Sequence, residues 1–379
     1  MHIFTSVTSN YIPKARVLAH SIKKYHPEAH FSLILSDKIP DWLTQNEPFD
    51  DIITSDQLGI PNFKSWLFKH SLVEMCTAVK GFAFQHIIKK YNATKIFYFD
   101  PDIAIFSRLD CLLEKLDSND VLLTPHQATP EIELRNIIDN EICSLKHGVF
   151  NLGFLGIHAK NKKSAFIDWW TDRLKLFCYD DIPGGLFTDQ RWVDLAPCFF
   201  NNIKILRDPQ YNVSTWNISH RKVSGSIDSK ITVNKKPLCF YHFSGFDSGA
   251  QEIMLGVYGK NNPTLLALRE WYISECDKMG QKDYGRYECF YHRFDNEKII
   301  TKEHRMLYRN RQDLQDAFPE PFATSDINIS YCDWYKQNAQ PQTSASDNNP
   351  AQELYRIKNS RSWKLMTFLK KIYHTILPV

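Results

Sequence analysis

Two carboxylates stand one residue apart in the stretch KIFYFDPDIAIF, Lys95 to Phe106. Asp100 and Asp102, held on a turn around Pro101, can converge on one hard divalent cation, because such ions prefer carboxylate oxygens. A cation there neutralises a diphosphate, the leaving group when a sugar departs from a nucleotide. The alternative for a lone D-x-D is that Asp100 caps the next turn and Asp102 is solvated. Four other segments carry chemistry. His242, in FYHFSGF, can add a neutral imidazole as a third protein ligand. Asn151 and Gly153, in FNLGF, set an amide and a permissive backbone inside an apolar strand, where an unpaired amide is costly. Asp189 and Gln190, in FTDQRW, supply a carboxylate and an amide after a glycine-containing loop. Lys80, in CTAVKGFAF, is an ammonium within an apolar helix and calls for an anion.

These residues need elements to hold them. KIFYF reads as a strand buried on both faces, and Pro101 cannot donate to a sheet ladder, so the strand ends near Asp100. In an open parallel sheet that end is where ligands bind. Upstream, HIFTSV reads as a strand, Val17, Leu18 and Ile22 recur at helical spacing, and HFSLILSD is a second strand. This β-α-β order predicts a parallel right-handed crossover. The spacing predicts one long helical segment from Trp66 to Tyr91, leading into the Lys95 strand. Further strands are expected at DVLLTP, GVFNLGFLGIH, IKIL and PLCFYHF, with an acidic helical stretch at PEIELRNIIDNEI. The helix KSAFIDWWTDRLKLF returns Phe166, Trp169, Trp170, Leu174 and Phe177 largely to one face, which reads as core.

The chain of 379 residues has room for one large α/β domain and an appendage. A hydrophobic content of 43% is globular, and a net charge of +3 gives no field suited to nucleic acid. The nine cysteines show no C-x-x-C spacing and read as reduced thiols. No run of apolar residues is long enough to span a bilayer, and the N-terminus lacks a signal-peptide core, so a cytoplasmic location is expected.

In this order, over about residues 1 to 250, these motifs resemble those of bacterial GT-A fold glycosyltransferases, similar to glycosyltransferase family 8 and its relatives in surface-polysaccharide synthesis. The resemblance implies a mostly parallel, Rossmann-like catalytic domain. It implies Mn²⁺ or Mg²⁺ on Asp100, Asp102 and His242, and a nucleotide-sugar donor, UDP-linked. It assigns Asn151 and Gly153 to the FNxG element and Asp189 and Gln190 to the sugar and acceptor side. Lys80 stands where the family has an arginine, which keeps the charge and loses the bidentate fork. The first loop is similar to a uracil and ribose site, with Val7, Thr8, Asn10 and Tyr11; Asn10 capping the first helix and Tyr11 packing beneath it are the plainer readings. After His242 the chain reads HFSGFDSGA: Gly245 is kept, while the family's diphosphate-contacting lysine is missing. Retention of anomeric configuration is the implied outcome, although Asp189 as a general base would serve inversion equally.

The expected organisation is a catalytic domain over 1–255, a helical extension over 256–337, a flexible linker over 338–352 and a basic amphipathic tail helix over 353–379. The tail carries Leu365, Leu369, Ile372 and Ile376 on one face with Arg361, Lys364, Lys370 and Lys371 elsewhere. Such a helix suits either the inner membrane surface, beside a lipid-linked saccharide acceptor, or a protein docking face. Two other functions compete: a non-catalytic sugar- or nucleotide-binding relative, and a nucleotidyltransferase. The latter needs a glycine-rich phosphate loop, and TSVTSNY has no glycine.

Overall fold

The computed structural model describes residues 1–325 and 329–339. Its strands run β1 (His2–Val7), β2 (His30–Leu35), β3 (Asp51–Thr54), β4 (Lys95–Phe99), β5 (Ile103–Ile105), β6 (Val121–Pro125) and β7 (Phe150–His158). They continue with β8 (Asp180–Asp181), β9 (Leu186–Phe187), β10 (Ile203–Ile205), β11 (Val223–Gly225), β12 (Ile231–Val233), β13 (Lys236–Pro237) and β14 (Phe240–His242). Seven of them form the central sheet in the order β10-β6-β7-β4-β1-β2-β3. The sheet is mostly parallel; β7 alone runs against its neighbours β4 and β6. The protein is thus an α/β chain with a mostly parallel central sheet, as its strand and helix alternation predicts.

Burial on both faces explains the strand composition. Phe4, Ile96 and Tyr98 enter the apolar cluster on one face, while Ile3, Val7, Phe97 and Phe99 enter the cluster on the other. Alternate side chains of a strand point to opposite faces, so β1 and β4 carry apolar residues at nearly every position. Helix α1 (Ile12–Tyr25) closes the second face with Ile12, Ala15, Leu18, Ala19 and Ile22.

The expected long helix from Trp66 to Tyr91 is three helices: α2 (Phe63–Phe68), α3 (Leu72–Ala78) and α4 (Lys80–Tyr91). Ser71 starts α3 with a capping box, its hydroxyl accepting from Glu74 N while the Glu74 carboxylate takes Ser71 N. A second break at Val79 puts Lys80 at the first position of α4 instead of a helix interior. The aromatic helix Ala165–Phe177 is core as expected at Phe166, Trp170 and Leu174, whereas Phe177 is exposed.

Two features of topology create the site. Because β7 is reversed, its first residues lie at the edge where β4 ends: Phe99 pairs with Phe154, and Asp100 N donates to Gly153 O at 2.8 Å. Outside the main sheet, β5 pairs antiparallel with β14, setting His242 opposite Ile103. Phe243 N donates to Asp102 O at 2.8 Å, which ties the histidine strand to the acidic turn.

Met1–Asp333 forms one compact unit, and a second begins at Trp334. Within the first, helix Pro263–Lys278 contributes Leu265, Leu268 and Tyr272 to a cluster that includes Tyr241 and Phe243. The Phe243 and Tyr272 rings stack at 3.9 Å, so the helical extension packs directly behind β14. Most of the expected linker, and all of the expected tail helix, lie outside the described residues. Among the described residues, no helix is long and apolar enough to cross a membrane. All nine cysteines are free.

Candidate functional site

Asp100 directly follows β4 and Asp102 follows Pro101 just before β5, and both carboxylates approach His242 at the end of β14. One ligand atom from each lies within 4.8 Å of the others. His242 Nε2 is 3.1 Å from Asp102 Oδ1 and 3.8 Å from Asp100 Oδ2. Its other ring nitrogen, Nδ1, donates to Asn212 Oδ1 at 3.3 Å, so Nε2 faces the carboxylates. That is the arrangement in which a second partner fixes the tautomer of a ligating imidazole. Burial works against charge on His242, but Asp102 and then Asp100 outweigh it and raise its pKa. Conversely, burial would raise the Asp102 pKa, and His242 holds it below the ordinary value. Two carboxylate oxygens and one imidazole nitrogen are a donor set that suits Mn²⁺ or Mg²⁺.

Lys80 meets its anions within the protein. Its ammonium is 3.3 Å from Asp100 Oδ1, 3.0 Å from Asp189 Oδ2 and 3.3 Å from Leu152 O, and lies over the Tyr98 ring at 4.1 Å. Asp100 Oδ1 and Leu152 O accept hydrogen bonds from it, and Asp189 is its second ion-pair partner. Burial alone would lower the Lys80 pKa; Asp100 and Asp189 reverse that and raise it. Tyr98 OH adds a 2.5 Å bond to Asp100 Oδ1, so that oxygen is already committed while Oδ2 faces His242.

Asn151 and Gly153 sit beside this cluster for different reasons. Asn151 Oδ1 accepts from Gly153 N at 3.1 Å and Asn212 Nδ2 at 2.9 Å, and its Nδ2 donates to His126 Nε2 at 3.2 Å. Gly153 has ordinary strand backbone; what it supplies is space, because a Cβ there would lie 2.4 Å from His242 Cε1. The imidazole can reach the acids only over a residue without a side chain.

Asp189 and Gln190 follow the short β8–β9 hairpin. Asp189 is buried, its Oδ1 accepting from Thr188 Oγ1 at 3.1 Å, and burial raises its pKa more than Lys80 lowers it. Both ends of the Gln190 amide are engaged by backbone: Oε1 accepts from Leu152 N at 3.0 Å and Nε2 donates to His147 O at 2.9 Å. Lys80, Asp100, Asn151, Asp189, Gln190 and His242 all line one cleft of about 460 Å³.

Two of the four first-loop residues face a second cavity. Asn10 and Tyr11 line it, whereas Thr8 is buried and its hydroxyl donates to Asn10 Oδ1 at 2.7 Å. Asn10 does not cap α1. Val7 points into the apolar core, so only its backbone borders this loop. Tyr11 OH donates to Asp247, and burial followed by that bond pushes its pKa far up, keeping it a donor. Gly245, with φ +76°, turns the chain between His242 and Asp247.

Several side chains at the site carried no signal in the sequence. Asn212 is fully buried at φ 51°, a left-handed conformation that asparagine tolerates. It joins His242, Asn151 and Thr124, to whose Oγ1 it donates at 3.0 Å. Trp216 packs edge-on against the His242 ring at 5.3 Å and lines the cleft. Its buried Nε1 finds no acceptor among the described residues. Lys14, at the other cavity, is buried with its ammonium on Asp247.

No protein-family model matches the chain. Among curated proteins it is similar to the uncharacterized protein YfnD of Bacillus subtilis (strain 168), 23% identical over 328 residues, which cover 84% of this chain and 92% of YfnD. It is also similar to YfnF of the same strain, 24% identical over 175 residues, 46% of this chain and 57% of YfnF. Among solved structures, the galactosyltransferase LgtC with donor and acceptor sugar analogs aligns at TM-score 0.44 and 16% identity, covering 73% of this chain and 96% of LgtC. The glycosyltransferase GlyE of Streptococcus pneumoniae TIGR4 aligns at TM-score 0.37 and 15% identity, covering 73% of this chain and 64% of GlyE.

Proposed function

We propose that the protein is a metal-dependent glycosyltransferase of the GT-A type. It moves a hexose-type sugar, with retention, from a UDP-linked donor to a saccharide or lipid-linked saccharide acceptor in cell-surface polysaccharide synthesis. The observation that carries this reading is the convergence of Asp100, Asp102 and His242 at the ligand-binding edge of a mostly parallel sheet. These three residues would hold Mn²⁺ or Mg²⁺, whose charge would offset that of the departing diphosphate.

The other residues act around that centre. Lys80 is a positioning residue, spanning Asp100 and Asp189 and holding the two carboxylates in fixed relation. Asp189 turns its carboxylate toward the cleft to orient sugar hydroxyls, and Gln190 fixes the neighbouring wall through Leu152 and His147. Trp216 offers an indole N–H without a protein acceptor, suited to a sugar hydroxyl.

The test is a panel of nucleotide sugars incubated with and without Mn²⁺, reading nucleotide release and product anomer by NMR. Metal-dependent release of UDP from one donor, with a retained anomer when acceptor is present, is the expected result. Binding of donor with no release under any acceptor would favour a non-catalytic binder, and turnover of an intact NTP would favour nucleotidyl transfer.

A further inference from the structure

The second cavity contains charge that the proposed metal site does not use. It measures about 790 Å³, and its walls include Asn10, Tyr11, Lys14, Asp247, Lys282 and Arg286. Three of these side chains are cationic and one is acidic. Lys14 belongs to the first turn of α1, and its side chain is only 1% exposed. An ammonium so deeply placed needs an anion. The anion is Asp247 Oδ2, and Tyr11 OH donates to the same oxygen. Lys14 also lies 4.1 Å above the Tyr11 ring.

The two halves of this pair are unequally held. Lys14 is enclosed between Tyr11 and the loop, while Asp247 is 44% exposed on the segment after His242. Water can replace what Asp247 loses, but not what Lys14 loses, so the acid is the half that can leave. Lys80 differs: its ammonium is shared between two protein carboxylates, Asp100 and Asp189, and the Leu152 carbonyl, so it has no single exposed counter-ion that can leave. Asp247, the partner of Lys14, lies on the turn at Gly245 that follows His242.

We propose that Lys14 and Tyr11 bind the diphosphate of the donor, with Asp247 as the resident counter-ion that the diphosphate displaces. The inference rests on the nucleotide-sugar reading and adds the cation that the stretch after His242 lacks. On ligand entry, the Lys14 ammonium and the Tyr11 hydroxyl exchange a carboxylate oxygen for phosphate oxygens. The loop carrying Asp247 then moves away, and no bond to carbon or phosphorus changes in this exchange.

The experiment is calorimetric titration of the full chain with inorganic pyrophosphate and with UDP, each with Mn²⁺, for wild type, Lys14→Met and Asp247→Asn. Loss of a charge-assisted phosphate contact is expected to weaken both ligands about 10- to 100-fold in Lys14→Met. Asp247→Asn removes the competing anion and is expected to bind both as tightly as wild type or more tightly. Asp247 is half exposed, so its variant keeps the test open even if Lys14→Met folds poorly. Equal affinity in Lys14→Met, weakening in Asp247→Asn as large as in Lys14→Met, or no binding of either ligand to wild type would overturn the inference. Wild type that releases UDP from a sugar donor while Lys14→Met binds normally would refute this inference alone. Lysine-dependent pyrophosphate binding with no sugar transfer would refute the glycosyltransferase reading alone.

Discussion

Two charged clusters lie in neighbouring cavities and are built on opposite plans. In the first, Asp100, Asp102 and His242 sit at strand ends, and two of the three have further partners: Lys80 and Tyr98 for Asp100, Asn212 for His242. In the second, Lys14 and Tyr11 rest on one half-exposed acid in a loop. The first arrangement restricts its ligand atoms to one geometry before any ion arrives, which suits a site that must hold a cation in place. The second keeps a buried cation ready and leaves its partner exchangeable, which suits a group that meets substrate. Rigidity and exchangeability thus follow from where the acid is anchored more than from how many charges are gathered.

The largest contrast is expected between the two lysines. Lys80→Met leaves Asp100 and Asp189 without their shared ammonium, and breaking a buried pair in this way costs about 3–5 kcal/mol. Lys14→Met leaves only Asp247, which water can solvate, and should cost about 1 kcal/mol or less. Parallel urea denaturation curves measure both; equal losses would erase the distinction between the clusters.

The glycines give the next contrast. In Gly153→Ala the new Cβ would press on the His242 ring at 2.4 Å, so overpacking of about 1–3 kcal/mol and loss of Mn²⁺ binding are expected together. Gly245→Ala meets its nearest neighbour at 3.2 Å and mainly strains a φ of +76°, a cost of about 1 kcal/mol with the Mn²⁺ affinity kept. Mn²⁺ titration followed by EPR separates them, and retained affinity in Gly153→Ala would show that the imidazole is not needed where it stands.

The narrowest contrast, confined to one ring nitrogen, is that of Asn212→Ala. It removes the acceptor of His242 Nδ1 and should weaken Mn²⁺ about tenfold through a freed ring tautomer. An unchanged affinity would mean that packing against Trp216 alone orients the ring.

The two lysines also show what could be read in advance and what could not. Lys80 stands out because it interrupts an apolar run; the S-x-x-E of Ser71 to Glu74 marks the start of α3, whereas the break at Val79 that sets Lys80 at the head of α4 has no side-chain cap to signal it. Lys14 shares the helix face of Val17, Leu18 and Ile22, which marks it as a lysine on an apolar stripe, but nothing local reports that residue 247 will lie above it. Asn212 occurs in a polar stretch where asparagine ordinarily means a turn, and its burial depends on Thr124, Asn151 and His242 arriving from three other elements.

The sequence by itself determined the strand ending at Asp100, the α/β class with its mostly parallel sheet, and the few polar residues set among apolar ones. Those follow from local chemistry: proline removes a ladder donor, and an apolar run must bury both faces. Only the tertiary structure decided the reversed direction of β7, which brings Asn151 and Gly153 to the edge where β4 ends. It also decided the pairing of β5 with β14, which joins residues 135 to 139 apart in sequence, and the choice of which lysine meets fixed acids and which meets a movable one. Such pairings depend on how distant surfaces fit once the core closes, and no short stretch of chain encodes its partner.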